Sequence, residues 1–242
     1  MKKFKNVFNI LITTILLGIF CTACDDEQST ITILHTNDTH SQIEPIAAGK
    51  RDGNHAGYAR RMGIILQERA HDPNLLLFDA GDYSQGTPYF NFYHGRVEVD
   101  ALNRMEYDAI TLGNHEFDWG VSYIERNSQI ESETGFKTPF LAANVYNYDI
   151  LTSQVGEYAN LGKKYVIKEF ENGIKVGIIG TIGTQQITSI SSHFVDHLTF
   201  INPINVVKDL SLELRNKGCH IVALSSHDSV EDTAYLSDLS GN

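Results

Sequence analysis

Cysteine is scarce in these 242 residues: there are three, and two of them, Cys21 and Cys24, lie at the end of an apolar N-terminal run. Only Cys219 is left for the body of the chain, so an intradomain disulfide is excluded. Beside the apolar run Ile221 to Leu224, that thiol reads as buried and inert rather than as a nucleophile or a metal ligand. Basic side chains are few as well. Lysine and arginine number 19 against 30 aspartates and glutamates, a net charge of -11, which argues against a basic face for a nucleic-acid polymer. The apolar run itself, Ile10 to Phe20, is too short to span a bilayer comfortably as a permanent anchor. Internal repeats and long low-complexity linkers are also lacking, so residues 30–242 are expected to form one domain with its own core.

The N-terminus carries a secretory pattern. Lys2, Lys3 and Lys5 precede the apolar run, and Thr22-Ala23-Cys24 resembles a bacterial lipobox, with Cys21 standing where leucine is usual. Residues 1–24 are therefore expected to be a lipoprotein signal peptide and residues 25–29 a solvated tether. A lipid on Cys24 would anchor the protein to the membrane of the bacterial cell envelope; an ordinary cleaved signal is the alternative.

Short branched runs alternate with helical patterning through the rest of the chain. Strands are expected over 30–35, 74–79, 108–112, 140–143 and 220–224, and helices over 56–70, 97–105, 119–130, 203–217 and 230–239. Glu171-Asn172-Gly173 between two branched runs predicts a hairpin of 165–170 with 174–180, so the α/β domain should have a mixed sheet. The polar, turn-rich stretch 146–162 reads as a surface excursion, and the aromatics Tyr89, Phe90, Phe92 and Tyr93 as core or rim packing. His35 is expected to pack near the ends of the strands, and His55, His71, His94 and His193 to be exposed.

Three polar clusters follow three of the strands: Asn37-Asp38-Thr39-His40, Gly81-Asp82, and Gly113-Asn114-His115-Glu116-Phe117-Asp118. Asp38 and His40, spaced i and i+2 on an extended strand end, would point one carboxylate and one imidazole at the same ion. Each cluster has a plain reading of its own: a turn beside a solvated histidine, a glycine turn, a helix cap at Asn114. Together, on successive strand ends where open α/β sheets bind ligands, they offer the donors that a pair of divalent cations needs.

These segments, with Gly81 to Thr87, Phe140 to Asn144 and Leu224-Ser225-Ser226-His227, resemble the motifs of calcineurin-like metallophosphoesterases, in particular the branch of secreted 5′-nucleotidases and UDP-sugar hydrolases. The resemblance implies an α/β/β/α sandwich and two divalent metal ions, zinc, manganese or similar. Asp38 and His40 would bind the first ion, Asp82 would bridge both, and Asn114 and His227 would bind the second. The catalytic pair would be His115, facing the substrate phosphate and protonating the leaving oxygen, and Asp118, holding His115 protonated and oriented. Glu116 would cap local structure. The substrate would be a small phosphate ester, a nucleotide, and the role nucleotide catabolism.

The family pattern also has a Gly-His-x-His element after the position of His227, which is not found before Asn242. The expectation is a metallophosphoesterase domain lacking its last strands and one imidazole for each metal. A second chain could supply the C-terminal substrate domain; otherwise the chain binds metal or phosphate without turnover, or serves only as a surface-binding module.

Overall fold

The computed structural model describes residues 30–229. A parallel four-stranded sheet contains β1 (Thr32–Thr36), β2 (Leu75–Asp79), β3 (Ala109–Thr111) and β4 (Phe140–Leu141) in that spatial order. Its helices are α1 (Tyr58–His71), between β1 and β2, and α2 (Pro88–Tyr93) and α3 (Arg96–Arg104), between β2 and β3. A short 3₁₀ turn (His115–Phe117) and α4 (Val121–Asn127) then lead to β4. Next come β5 (Val145–Asp149) and β6 (Gln154–Tyr158), then β7 (Tyr165–Glu169) and β8 (Lys175–Ile182), which form the antiparallel hairpin predicted by Asn172-Gly173. After α5 (Ser192–Val195) and β9 (Leu198–Phe200), the long helix α6 (Pro203–Asn216) returns the chain to β10 (Ile221–His227), which pairs in parallel with β8.

Side-chain alternation along the central strands builds the layers. On β2, Leu75 and Leu77 pack with Ile65, Leu102 and Tyr107 on the helical side, whereas Leu76 and Phe78 pack with Val176 and Ile178 of the second sheet. On β8, Ile179 faces the other way, onto Val206, Val207, Leu210 and Leu214. Strands buried on both faces read as continuous apolar runs, as β2 and β8 do. The result is the expected α/β/β/α arrangement, with Cys219 buried under α6 as anticipated. Asn202 caps α6 by accepting a hydrogen bond from the Ile204 N–H, and Pro203 occupies its first turn.

Several expectations are corrected. The stretch 146–162 is not merely a surface excursion: β5 and β6 pair in it, and β9 joins them as a third sheet. Edge-on contact of Tyr146 with Tyr158 across the hairpin, 5.7 Å between centroids, supports the pairing, while the partner β9 arrives from some fifty residues downstream, beyond any local pattern. The helix expected over 119–130 is shortened to α4, because Gly120, at φ 86°, sets its start at Val121 and the chain leaves the helix after Asn127. Of the four aromatics, Phe90 is buried, but α2 leaves Phe92 and Tyr93 exposed. The expected helix 230–239 lies outside the described residues. Among the described residues, no helix is long and apolar enough to cross a membrane.

Candidate metal centre

The predicted site residues all lie at the C-terminal edge of β1, β2, β3 and β10, where the parallel registers bring the strand ends together. The Thr111 hydroxyl donates to the Ser225 hydroxyl at 2.6 Å, tying the two sheets just below the site.

Backbone hydrogen bonds stitch the loops to one another. Asp38 N–H donates to Gly81 O at 2.9 Å, His40 N–H to Asp82 O at 3.0 Å and Ser41 N–H to Tyr83 O at 2.9 Å. The first loop is not the extended strand end expected. Asp38, His40 and Ser41 have φ 50°, 43° and 52°, and Asp82 has 55°, all left-handed. The convergence of Asp38 and His40 therefore comes from a turn that the neighbouring loop holds in place, not from strand alternation. Gly113 permits the close approach of the third loop, since a Cβ there would lie 2.2 Å from Asp82 Oδ1.

Glu116 does more than cap its own turn. Its buried carboxyl accepts hydrogen bonds from the N–H groups of Gly113 (2.6 Å), Asp82 (3.0 Å) and Ser84 (3.1 Å), and from the Ser84 hydroxyl (2.7 Å). One side chain thus braces two metal-donor loops. Burial first, and the Asp82 charge second, push its pKa up to about 7. Asp79, at the end of β2, is pushed up to about 6, again chiefly by burial.

Two donor groups form, and Asp82 belongs to both. Atoms of Asp38, Asp82 and His227 lie within 4.8 Å of one another, and so do atoms of His40, Asp82 and His115. His227 Nε2 is 3.2 Å from Asp82 Oδ2 and 3.2 Å from Asn114 Oδ1, and His40 Nε2 is 3.7 Å from Asp38 Oδ1. All five expected ligands therefore converge. Burial works to lower the His227 pKa, but the Asp82 hydrogen bond and charge outweigh it and push it up to about 9. Burial likewise opposes ionisation of Asp82, whose pKa nevertheless falls below the usual range because His227 hydrogen-bonds to it.

The histidines differ in the partner of Nδ1. His227 Nδ1 lies 2.9 Å from Ala80 O and His40 Nδ1 3.3 Å from Ser84 O; donation to these carbonyls leaves Nε2 as the nitrogen that a cation would take, in His227 by displacing the proton held against Asp82. His115 Nδ1 instead meets the Asp118 carboxylate at 2.8 Å, while its Nε2 stands 4.0 Å from Asp82 Oδ2. His115 is thus near enough to belong to a donor group, yet it is partnered differently from His40 and His227, the two histidines expected as ligands. An oxygen-and-imidazole donor set of this kind suits a divalent metal ion.

A cleft of about 290 Å³ beside these groups is lined by His35, Asn37, Asp38, Ser226, His227 and Asp228. His35 stacks on Phe78, 6.0 Å between centroids, as its place near the strand ends implies. A larger apolar groove of about 460 Å³, bounded by Tyr58, Met62 and Met105, holds none of the candidate ligands. His94, expected to be exposed, is half-buried 4.3 Å from Trp119 and 4.8 Å from Tyr123, a contact between separate elements that its polar sequence neighbours do not reveal.

The family model for calcineurin-like phosphoesterases matches residues 31–238. A snake venom 5′-nucleotidase from Naja atra is 36% identical over 216 residues, covering 87% of this chain and 39% of that protein. The crystal structure of a 5′-nucleotidase precursor from Thermus thermophilus superposes with a TM-score of 0.67 at 30% identity, covering 81% of this chain and 36% of that one. The Haemophilus influenzae NAD nucleotidase gives a TM-score of 0.69 at 28% identity, with 85% and 35% covered. The chain spans less than two fifths of the length of each.

Proposed function

The chain belongs to the calcineurin-like phosphoesterase family, and from that premise we propose that it is a dinuclear-metal hydrolase of nucleotide phosphoesters, similar in action to the 5′-nucleotidases it matches. The observation that carries this reading is that Asp82 belongs both to the group of Asp38 and His227 and to the group of His40 and His115, with His115 tied through its other ring nitrogen to Asp118. The division between the cations follows the family pattern rather than those two groups: Asp38 and His40, 3.7 Å apart, would with Asp82 hold one cation, and Asp82 and Asn114, each 3.2 Å from His227, would with it hold the other. A pair of cations held by these residues would supply Lewis acidity, lowering the pKa of a water and neutralising phosphoryl oxygens.

The remaining chemistry belongs to side chains of this chain. Carbonyl partners fix the rings of His40 and His227 so that both Nε2 atoms face inward. Asn114 presents a neutral oxygen, which adds no charge to a site already rich in carboxylates. Asp118 accepts the His115 Nδ1 proton and fixes that ring, so that its Nε2–H can hydrogen-bond a phosphoryl oxygen and pass a proton to the leaving alkoxide. Asp82→Ala is expected to remove both cations and phosphate release from a nucleoside monophosphate. Equal metal occupancy in wild type and Asp82→Ala would refute the shared-ligand assignment.

The setting we propose is the bacterial cell envelope, with residues 1–24 as the signal and lipid on Cys24. The support is the run of lysines before the apolar segment and the Thr22-Ala23-Cys24 sequence. Cys24→Ser should move the protein out of the membrane fraction; unchanged membrane association would count against the anchor.

A further inference from the structure

Helix α3 carries a buried acid that nothing above employs. Glu98, in the first turn of α3, has no exposed surface, and neither carboxyl oxygen has a hydrogen-bond partner among the described residues. No lysine, arginine or histidine pairs with it there either. An ionised carboxylate in such a place would carry a desolvation cost with nothing to offset it. Four other buried side-chain atoms among the described residues are unmet, Arg61 Nη1, His94 Nδ1, Thr138 Oγ1 and the hydroxyl of Ser41, and of these residues Ser41, which has no exposed surface, directly follows His40. Ser41 lies outside strict hydrogen-bond geometry with Glu98 yet close enough to act on its carboxyl.

Ser41 closes the left-handed turn that directs His40. Consecutive left-handed residues other than glycine persist only where their surroundings hold them. The Ser41 main chain is held by Tyr83 O, which accepts from its N–H at 2.9 Å, and by the Thr87 hydroxyl, which donates to its carbonyl at 2.9 Å. Tyr58 OH lies 3.4 Å from the Thr39 hydroxyl. The Ser41 hydroxyl has no partner of that kind, and the Glu98 carboxyl is near enough to feel it.

We propose that Glu98 is a positioning residue for the metal centre: in its neutral acid form it donates to the Ser41 hydroxyl and thereby fixes the turn that aims His40 at the first cation. This rests on the metal-centre reading given above. Burial raises the Glu98 pKa, and the Ser41 hydroxyl only partly opposes it, which accords with a neutral acid.

The test is Mn²⁺ binding to the full chain by titration calorimetry, with His40→Ala marking the binding event that belongs to the first site. Glu98→Ala and Ser41→Ala should each weaken that event by about 10-fold or more, in the range seen for residues that orient metal ligands, and the double variant should be no worse than either single. Glu98→Gln, whose amide can donate to the same hydroxyl, should bind within about 2-fold of wild type. The infrared difference between wild type and Glu98→Gln should contain a protonated carboxyl band. The proposal is overturned if Glu98→Gln binds as poorly as Glu98→Ala, or if wild type, Glu98→Ala and Ser41→Ala bind alike. Should Glu98→Ala fail to fold, Ser41→Ala, Glu98→Gln and the infrared band decide the matter. Wild type that binds no Mn²⁺ sinks the metal-centre reading and this proposal together, whereas normal wild-type binding unaffected by the variants sinks this proposal alone.

Discussion

Replacing Glu116 by alanine should destabilise the whole fold, because one carboxyl braces the loops after β2 and β3. The substitution leaves three N–H groups, those of Gly113, Asp82 and Ser84, without their acceptor. A buried donor left unmet costs about 1–3 kcal/mol. Part of that loss is returned, since removing a carboxyl that burial pushes up to about 7 also removes the cost of burying its charge. The expected net loss is about 3–5 kcal/mol. In a domain of this size that corresponds to a fall of roughly 6–20 °C in melting temperature. Ser84→Ala, which removes one donated hydroxyl and leaves Glu116 in place, should cost only about 1–2 kcal/mol. Urea and thermal unfolding of the metal-free protein measure both. A Glu116→Ala protein within about 1 kcal/mol of wild type would show that the stitching between the 38–41 and 81–83 backbones holds the loops by itself, and the bracing argument would fail.

Asp79 gives a pH signature of definite sign. Its pKa is raised on folding from 3.8 to about 6, so the folded state binds the proton more tightly and this contribution to stability is lost as pH rises through that window, by about 3 kcal/mol. Asp79→Asn should remove this share of the slope, leaving that of Glu116 between 4.5 and about 7, and keep both local bonds, its oxygen accepting from Gly81 N–H and its amide donating to the Thr36 hydroxyl; a variant that is less stable than wild type at pH 7, or that keeps the whole slope, refutes this. For catalysis, His115→Ala should lower phosphate release about 10²–10⁴-fold while leaving metal content nearly unchanged, with Asp118→Asn milder. Loss of metal in His115→Ala would make His115 a ligand instead, as its place in a donor group allows.

The sequence by itself determined the elements whose signals are local. The branched runs of β2, β3 and β8 are buried on both faces and so are apolar almost throughout; Asn172-Gly173 specifies its turn, and Pro203 and Gly218 bracket α6. It also placed the ligand-type residues at the ends of strands. Tertiary structure alone decided the rest. The left-handed turn of Asp38 to Ser41 is stable because the 81–83 backbone accepts its N–H groups, and no pattern within four residues encodes that acceptor. Asn114 meets His227 across 113 positions of chain because two sheets stack, and the third sheet exists because β9 returns to β5. Glu116 and Glu98 look in sequence like ordinary charges on short helical turns; burial, which depends on every layer packed around them, is what makes one of them a brace and leaves the other without a charge partner.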